Sequence, residues 1–140
     1  MTSDGTSAAR ARTLTVLVYS DDRGTRADVR RALGRRPAKG LPFLTYVECA
    51  TEPALIARMD AGGIDLAILD GEAVPAGGLG ICRQLKEEIY RCPPVLVLIG
   101  RPQDAWLATW SRADAVATHP IDPHTLAHTA ASLLSRFPVA

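Results

Sequence analysis

Apolar runs alternate with amphipathic helical patterns along nearly the whole chain, and that alternation constrains the fold more than any other feature. "LTVLVYS" (14–20), "PFLTYVECA" (42–50), "IDLAILD" (64–70), "PPVLVLIG" (93–100) and "DAVATHP" (114–120) have the length and composition of strands. "TRADVRRALGRR" (25–36), "EPALIARMDAGG" (52–63), "GLGICRQLKEEIY" (78–90), "PQDAWLATWSRA" (102–113) and "DPHTLAHTAASLLSRF" (122–137) have helical spacing. Several of these helices open on proline or a capping aspartate and close on glycine. Three of the strands are almost unbroken apolar runs, as expected where helices cover both faces of a sheet. The pattern predicts a doubly wound α/β domain with a five-stranded parallel sheet.

The rest of the chain adds little to that architecture. Its 140 residues suit one domain with one core. The first 12 residues are small and polar and are expected to form a disordered tail, with the domain over 13–137. A net charge of +1 gives no reason to expect nucleic acid or an anionic membrane as partner. No run approaches the roughly 18 to 20 apolar residues of a membrane span, and the N-terminus lacks the apolar centre of a secretory signal. Three cysteines without a CxxC pair fit a reducing, cytoplasmic setting.

In parallel α/β sheets, chemistry collects at the carboxyl ends of the strands. Asp21 and Asp22 follow the first strand, Asp70 ends the third, and His119 ends the fifth. Carboxylates from strands one and three placed side by side make an oxygen-rich cluster suited to Mg²⁺. Asp21, Asp22, Asp70 and Glu72, the last through its backbone carbonyl, are the candidate metal ligands. The glycine-rich "GEAVPAGGLG" after Asp70 has neither a P-loop nor a dinucleotide-binding pattern. No complete catalytic constellation is present, so the chain is not expected to be an enzyme. Trp106 and Trp110, its only tryptophans, lie one turn apart on the fourth helix. They are candidate contact anchors.

These residues together resemble the receiver domain of bacterial response regulators, over about 13 to 137. Strand one ending in acids resembles the family's acidic pair. Asp70 resembles the phospho-acceptor aspartate. The stretch from Gly78 to Arg83 resembles the segment that follows it, "PPVLVLIGR" the fourth strand, and His119-Pro120 the family's Lys-Pro. The closest likeness is to atypical, stand-alone receivers of actinobacteria. The resemblance implies strand order 2-1-3-4-5, phosphoryl transfer from a histidine kinase to Asp70, and Mg²⁺ bound by the acids. It also implies output through the face formed by helix four, strand five and helix five, including a homodimer through that face.

The family pattern is broken at several places. Aligned through "VLVYSDD", Ser20 stands at the first acid and Asp21 at the second; a slip of one residue makes the pair Asp21 and Asp22. Ile99 replaces the Ser/Thr, Val116 the switch aromatic and His119 the lysine, while Pro75 falls one residue late. Glu72, two residues past Asp70, is placed to compete with phosphate for a metal or to mimic its charge. Hydrogen bonds to charged groups contribute roughly 1.5–3 kcal/mol each. Loss of the lysine and hydroxyl contacts therefore removes about 3–6 kcal/mol, comparable to the roughly 5.5 kcal/mol that carries a two-state switch from 1:99 to 99:1. Two readings remain open: a receiver with a degraded switch, and a phosphorylation-independent binding module that keeps only the fold.

Overall fold

The computed structural model describes residues 13–136. The tail expected over 1–12 and the final residue of the expected domain lie outside them. Among the described residues the strands are β1 (Leu14–Tyr19), β2 (Leu44–Cys49), β3 (Leu66–Asp70), β4 (Val95–Ile99) and β5 (Ala115–Thr118). The helices are α1 (Arg23–Leu33), α2 (Glu52–Asp60), α3 (Gly78–Glu88), α4 (Ala105–Ser111) and α5 (Pro123–Arg136). All strand pairings are parallel, in the order β2-β1-β3-β4-β5. Connectivity and order both match the sequence-based expectation.

Alternation along the strands divides the core in two. Leu17 and Tyr19 of β1, Ala67 and Leu69 of β3, and Val95, Val97 and Ile99 of β4 face α2 and α3 through Leu55, Met59, Ile81, Cys82 and Leu85. The intervening residues, Val16, Val18, Leu66, Ile68, Leu96 and Leu98, face α1 and α5 through Val29, Leu33, Leu126, Ala130, Leu133 and Leu134. A strand dry on both faces has no polar side to alternate with, so β3 and β4 read as unbroken apolar runs. Each fully buried aliphatic side chain contributes about 1.5–3 kcal/mol relative to exposure.

Element ends differ from the sequence expectation where local capping decides them. Helix α1 starts two residues early because Asp22 is its N-cap, accepting hydrogen bonds from Gly24 N at 2.9 Å and Thr25 Oγ1 at 3.1 Å. It ends at Gly34, whose φ of 61° favours glycine. The fourth helix, expected over 102–113, is instead a 3₁₀ turn (Pro102–Asp104) followed by the short α4, which stops where Arg112 turns left-handed at φ 63°.

Helix α3 lies unusually close to β3 at its first residue. A Cβ on Gly78 would sit 2.8 Å from Leu69 Cβ and 2.9 Å from the Asp70 carbonyl oxygen. Only glycine permits that approach, which packs the start of α3 directly behind the residue that ends β3.

Candidate functional site

The ends of β1, β3 and β5 converge on Asp70. Strand β3 stays apolar through Leu69 and ends on Asp70, which is 3 % exposed. Gly71 N donates to Leu98 O at 2.7 Å, so pairing with β4 continues one residue past the strand and fixes the Asp70 backbone. The chain then turns back sharply. Glu72 N donates to Asp70 Oδ1 at 2.9 Å, an aspartate-capped turn.

Ser20, the residue after β1, is fully buried, and its Oγ donates to Asp70 Oδ2 at 2.7 Å. Ser20 Oγ in turn accepts a hydrogen bond from Asp22 N at 3.0 Å. His119 follows β5, held by its N–H on Ile99 O at 2.8 Å, and its Nε2 lies 2.9 Å from Asp70 Oδ1. The peptide bonds Val74-Pro75 and His119-Pro120 are both cis. Asp70 is thus buried but fully partnered, as a carboxylate with little access to water must be.

The other candidate acids have different neighbours. Asp21 Oδ1 accepts from Val74 N at 3.2 Å, tying the end of β1 to the loop after β3. Asp22 is engaged at the N-terminus of α1, where its hydrogen bonds to Gly24 and Thr25 hold its carboxyl below the usual range. Glu72 is exposed, with its carboxylate against Gly100 at the end of β4. Among the described residues, no three His, Cys, Asp or Glu side chains are grouped to hold a metal ion. Asp21, Asp22 and Asp70 do not form such a side-chain group, while the contribution expected of Glu72 is its backbone carbonyl. The first acid's place holds a hydroxyl, Asp22 caps a helix, and both Asp70 oxygens already have partners. This donor set does not fit a bound Mg²⁺, which prefers carboxylate and water oxygens free to point at it.

The edge nonetheless carries negative charge. Burial pushes the Tyr19 phenol up from its usual value, and the carboxylates of Glu52, Asp21 and Asp70 push it further in the same direction. Its hydroxyl donates to Ala76 O at 2.6 Å, which anchors the loop after Asp70. The Ile99 side chain is buried among apolar neighbours and has no hydrogen-bonding group, and Val116 lies half-buried beside the same core layer.

Trp106 is 67 % exposed and Trp110 46 % exposed. The Arg83 guanidinium from α3 sits 4.9 Å from the Trp110 ring centroid and donates to Trp110 O at 2.6 Å. His124 and His128 are both exposed on α5. Ser20 is the site residue the strand-end rule passed over, because a serine after an apolar run carries no charge signal. The capping role of Asp22 was readable from its place just before a helical pattern.

A doubly wound sheet of order 2-1-3-4-5 with an aspartate at the end of β3, flanked by residues from the ends of β1 and β5, defines a receiver domain. The chain belongs to the response-regulator receiver family, which acts in two-component signal transduction and implies a cognate histidine kinase. It is 62 % identical over 121 residues to an uncharacterized response regulatory protein of Mycobacterium tuberculosis strain H37Rv, covering 86 % of this chain and 91 % of that protein. The corresponding protein of strain CDC 1551 matches to the same extent. No protein-family model matches the chain.

Solved structures agree at the level of fold. The receiver domain of a signal transduction histidine kinase from Syntrophus aciditrophicus superposes with a TM-score of 0.75 at 21 % identity, over 91 % of this chain and 95 % of that one. A two-component response regulator from Clostridium difficile gives 0.74 at 17 % identity, over 91 % and 100 %. The response regulator DrrB of Thermotoga maritima gives 0.70 at 20 % identity; this chain covers 54 % of its length and is itself covered over 90 %. Receiver domains typically take Mg²⁺ for phosphorylation. No helix among the described residues is long and apolar enough to cross a membrane.

Proposed function

We propose that this chain is an atypical receiver in which Asp70 is the phospho-acceptor, the usual conformational switch is degraded, and output runs through protein contacts. The observation that carries this reading is the position of Asp70, buried at the end of β3 with a carboxylate oxygen 2.9 Å from His119 Nε2. In the transfer step, an Asp70 oxygen attacks phosphorus and the bond from phosphorus to the donor's leaving oxygen or nitrogen breaks. The leaving group takes the electron pair, and an acyl phosphate remains on Asp70. His119 and Ser20, both within hydrogen-bond distance of the Asp70 carboxylate, are the side chains able to donate to the transferred phosphoryl oxygens. Oδ2 accepts one hydrogen bond, from Ser20, and keeps a lone pair for the attack, whereas Oδ1 accepts from both Glu72 N and His119.

The downstream relay has lost its parts. Ile99 has no hydroxyl to follow the phosphoryl group, and Val116 has no ring to swing. Exposed Trp106 and Trp110 on α4 are the contact anchors of this reading, and a second copy of the chain or another protein is the partner class. A binding module indifferent to phosphorylation is the second reading. It is favoured by the three donors that satisfy Asp70 with no metal.

Acetyl phosphate separates the two, with and without Mg²⁺, read by intact mass and amide NMR. A phospho-adduct absent in Asp70→Asn, with shifts reaching α4, supports the receiver reading. No adduct under either condition, alongside partner binding or self-association lost in Trp106→Ala, supports the binding module.

A further inference from the structure

A cluster of like charge lies at the end of the sheet opposite Asp70. Residues 23–48 hold seven Lys and Arg against two Asp and Glu, a net +5 within a chain of net +1, so the rest of the sequence carries a net −4. The structure gathers part of this excess between α1 and β2 and ties it down. Gly34 turns the chain at φ 61°, and its carbonyl accepts from the Tyr46 hydroxyl. Leu44 N donates to Arg35 O at 2.8 Å, and Arg36 Nη1 donates to Leu41 O at 3.3 Å. The Arg35 and Arg36 guanidiniums lie 4.7 and 4.9 Å from the centroid of the Phe43 ring, which is 42 % exposed. Arg35, Arg36 and Lys39 are exposed, and none of them has a carboxylate partner among the described residues. Nearby, the same surface shows how a carboxylate is taken up. Glu48 accepts from Arg26 Nε at 3.0 Å and from Arg30 Nη1 at 2.6 Å, so two guanidiniums share one acid. A shallow cleft of about 440 Å³, lined in part by Arg30, Tyr46 and Glu48, also reaches Arg35.

We propose that Arg35, Arg36, Lys39 and Phe43 form a docking surface for an acidic segment of a partner protein, one with two or more carboxylates around an apolar side chain. Two guanidiniums drawn onto one ring are each attracted by its face, yet they repel each other and stay unneutralised. A carboxylate set between them supplies what Glu48 supplies to Arg26 and Arg30, and the arginine fork matches a carboxylate in geometry. Exposed Phe43 adds an apolar contact amid the charges. A short acidic segment fits better than a nucleic acid, because a long polyanion leaving this patch meets the net-negative remainder of the chain. The surface lies at the amino ends of the parallel strands and Asp70 at a carboxyl end. Docking there therefore leaves Asp70 open, and the proposal does not rest on Asp70 being an acceptor.

The test titrates the full ¹⁵N-labelled chain with a short peptide of Asp and Glu bearing one central Leu. Its Asn and Gln counterpart and a single-stranded oligonucleotide of equal charge are the comparison probes. The acidic peptide is expected to shift amides over residues 34–46, to leave those over 70–73 in place, and to bind more weakly as salt rises. Affinity is expected to fall about two- to fivefold in each of Arg35→Gln and Arg36→Gln, further in the double variant, and also in Phe43→Ala. Arg101→Gln, which removes an exposed cation at the other end of the sheet, and Asp70→Asn should leave affinity unchanged. The arginine side chains are exposed, so their variants should keep the wild-type amide spectrum elsewhere. An acidic peptide that shifts no amide in this segment, or shifts them equally in the double arginine variant, overturns the surface. Tighter binding of the oligonucleotide at the same residues overturns the acidic protein segment in favour of nucleic acid. A salt-sensitive dimer of the chain alone, lost in the double arginine variant, overturns it in favour of a second copy.

Discussion

Ser20 Oγ donates to Asp70 Oδ2 at 2.7 Å, and both residues are buried. The bond spans 50 residues of sequence and joins the ends of β1 and β3. It places a neutral donor where the family resemblance puts an acid, so the Asp70 carboxylate is stabilised by hydrogen bonds from the chain itself.

Removing that hydroxyl should be costly. Ser20→Ala leaves the buried Asp70 Oδ2 and the part-buried Asp22 N without this partner. A loss of about 1–3 kcal/mol in unfolding free energy is expected. Urea denaturation measures it, and an unchanged midpoint would mean that water replaces the hydroxyl.

Restoring the acid should restore metal binding. Wild type is expected to show no saturable amide shifts around Asp70 on Mg²⁺ addition, because its donor set lacks a free carboxylate pair. Ser20→Asp supplies a carboxylate beside Asp70 and Asp21, and the mutual repulsion of the carboxylates favours a divalent cation. A Mg²⁺ titration by NMR should therefore give saturable shifts at residues 20 to 22 and 70 to 73 in the variant alone.

The closeness of α3 to β3 should tolerate no added carbon. Gly78→Ala forces a methyl to within 3 Å of Leu69 and the Asp70 carbonyl. Overpacking of this kind costs about 1–3 kcal/mol. The expected readout is a lower urea midpoint, with amide shifts concentrated near Asp70 and not near α5.

Acid should dissolve one tie between α1 and β2. The Arg30 and Arg26 guanidiniums hydrogen-bond to Glu48 and hold its carboxyl below the usual range. A depressed folded-state value means the contribution is complete above the unfolded-state pKa and is lost as pH falls through the folded one. For a largely solvated pair it is about 0.2–1 kcal/mol. Glu48→Gln should therefore melt below wild type at pH 7, and the gap in thermal midpoint should close as pH drops below about 4. A constant gap across that range would show that packing, and not charge, sets the difference.

The fold was legible from the chain because burial on both faces leaves a local signature. "LAIL" and "VLVLI" cannot be half-solvated strands, and the helices between them carry their own caps and stops. Boundaries were less legible. Nothing local in "PQDAWL" distinguishes a 3₁₀ turn over Pro102–Asp104 from a first α-turn. Asp70 and His119 could be singled out because strand ends in a parallel sheet share one edge. Their 2.9 Å contact could not be read off, since it depends on the offset between β3 and β5 across β4.

By itself the sequence determined the alternation of strands and helices, the two-sided core, and which polar residues reach the functional edge. These follow from solvent exclusion and backbone periodicity, which act over a few residues at a time. The tertiary structure alone decided which of those residues touch. Ser20 and His119 hold Asp70, Asp22 turns away to cap a helix, and Glu72 crosses to Gly100. Hydrogen bonds form over about 3 Å, and separations that small between distant segments are set only when the whole sheet is in register.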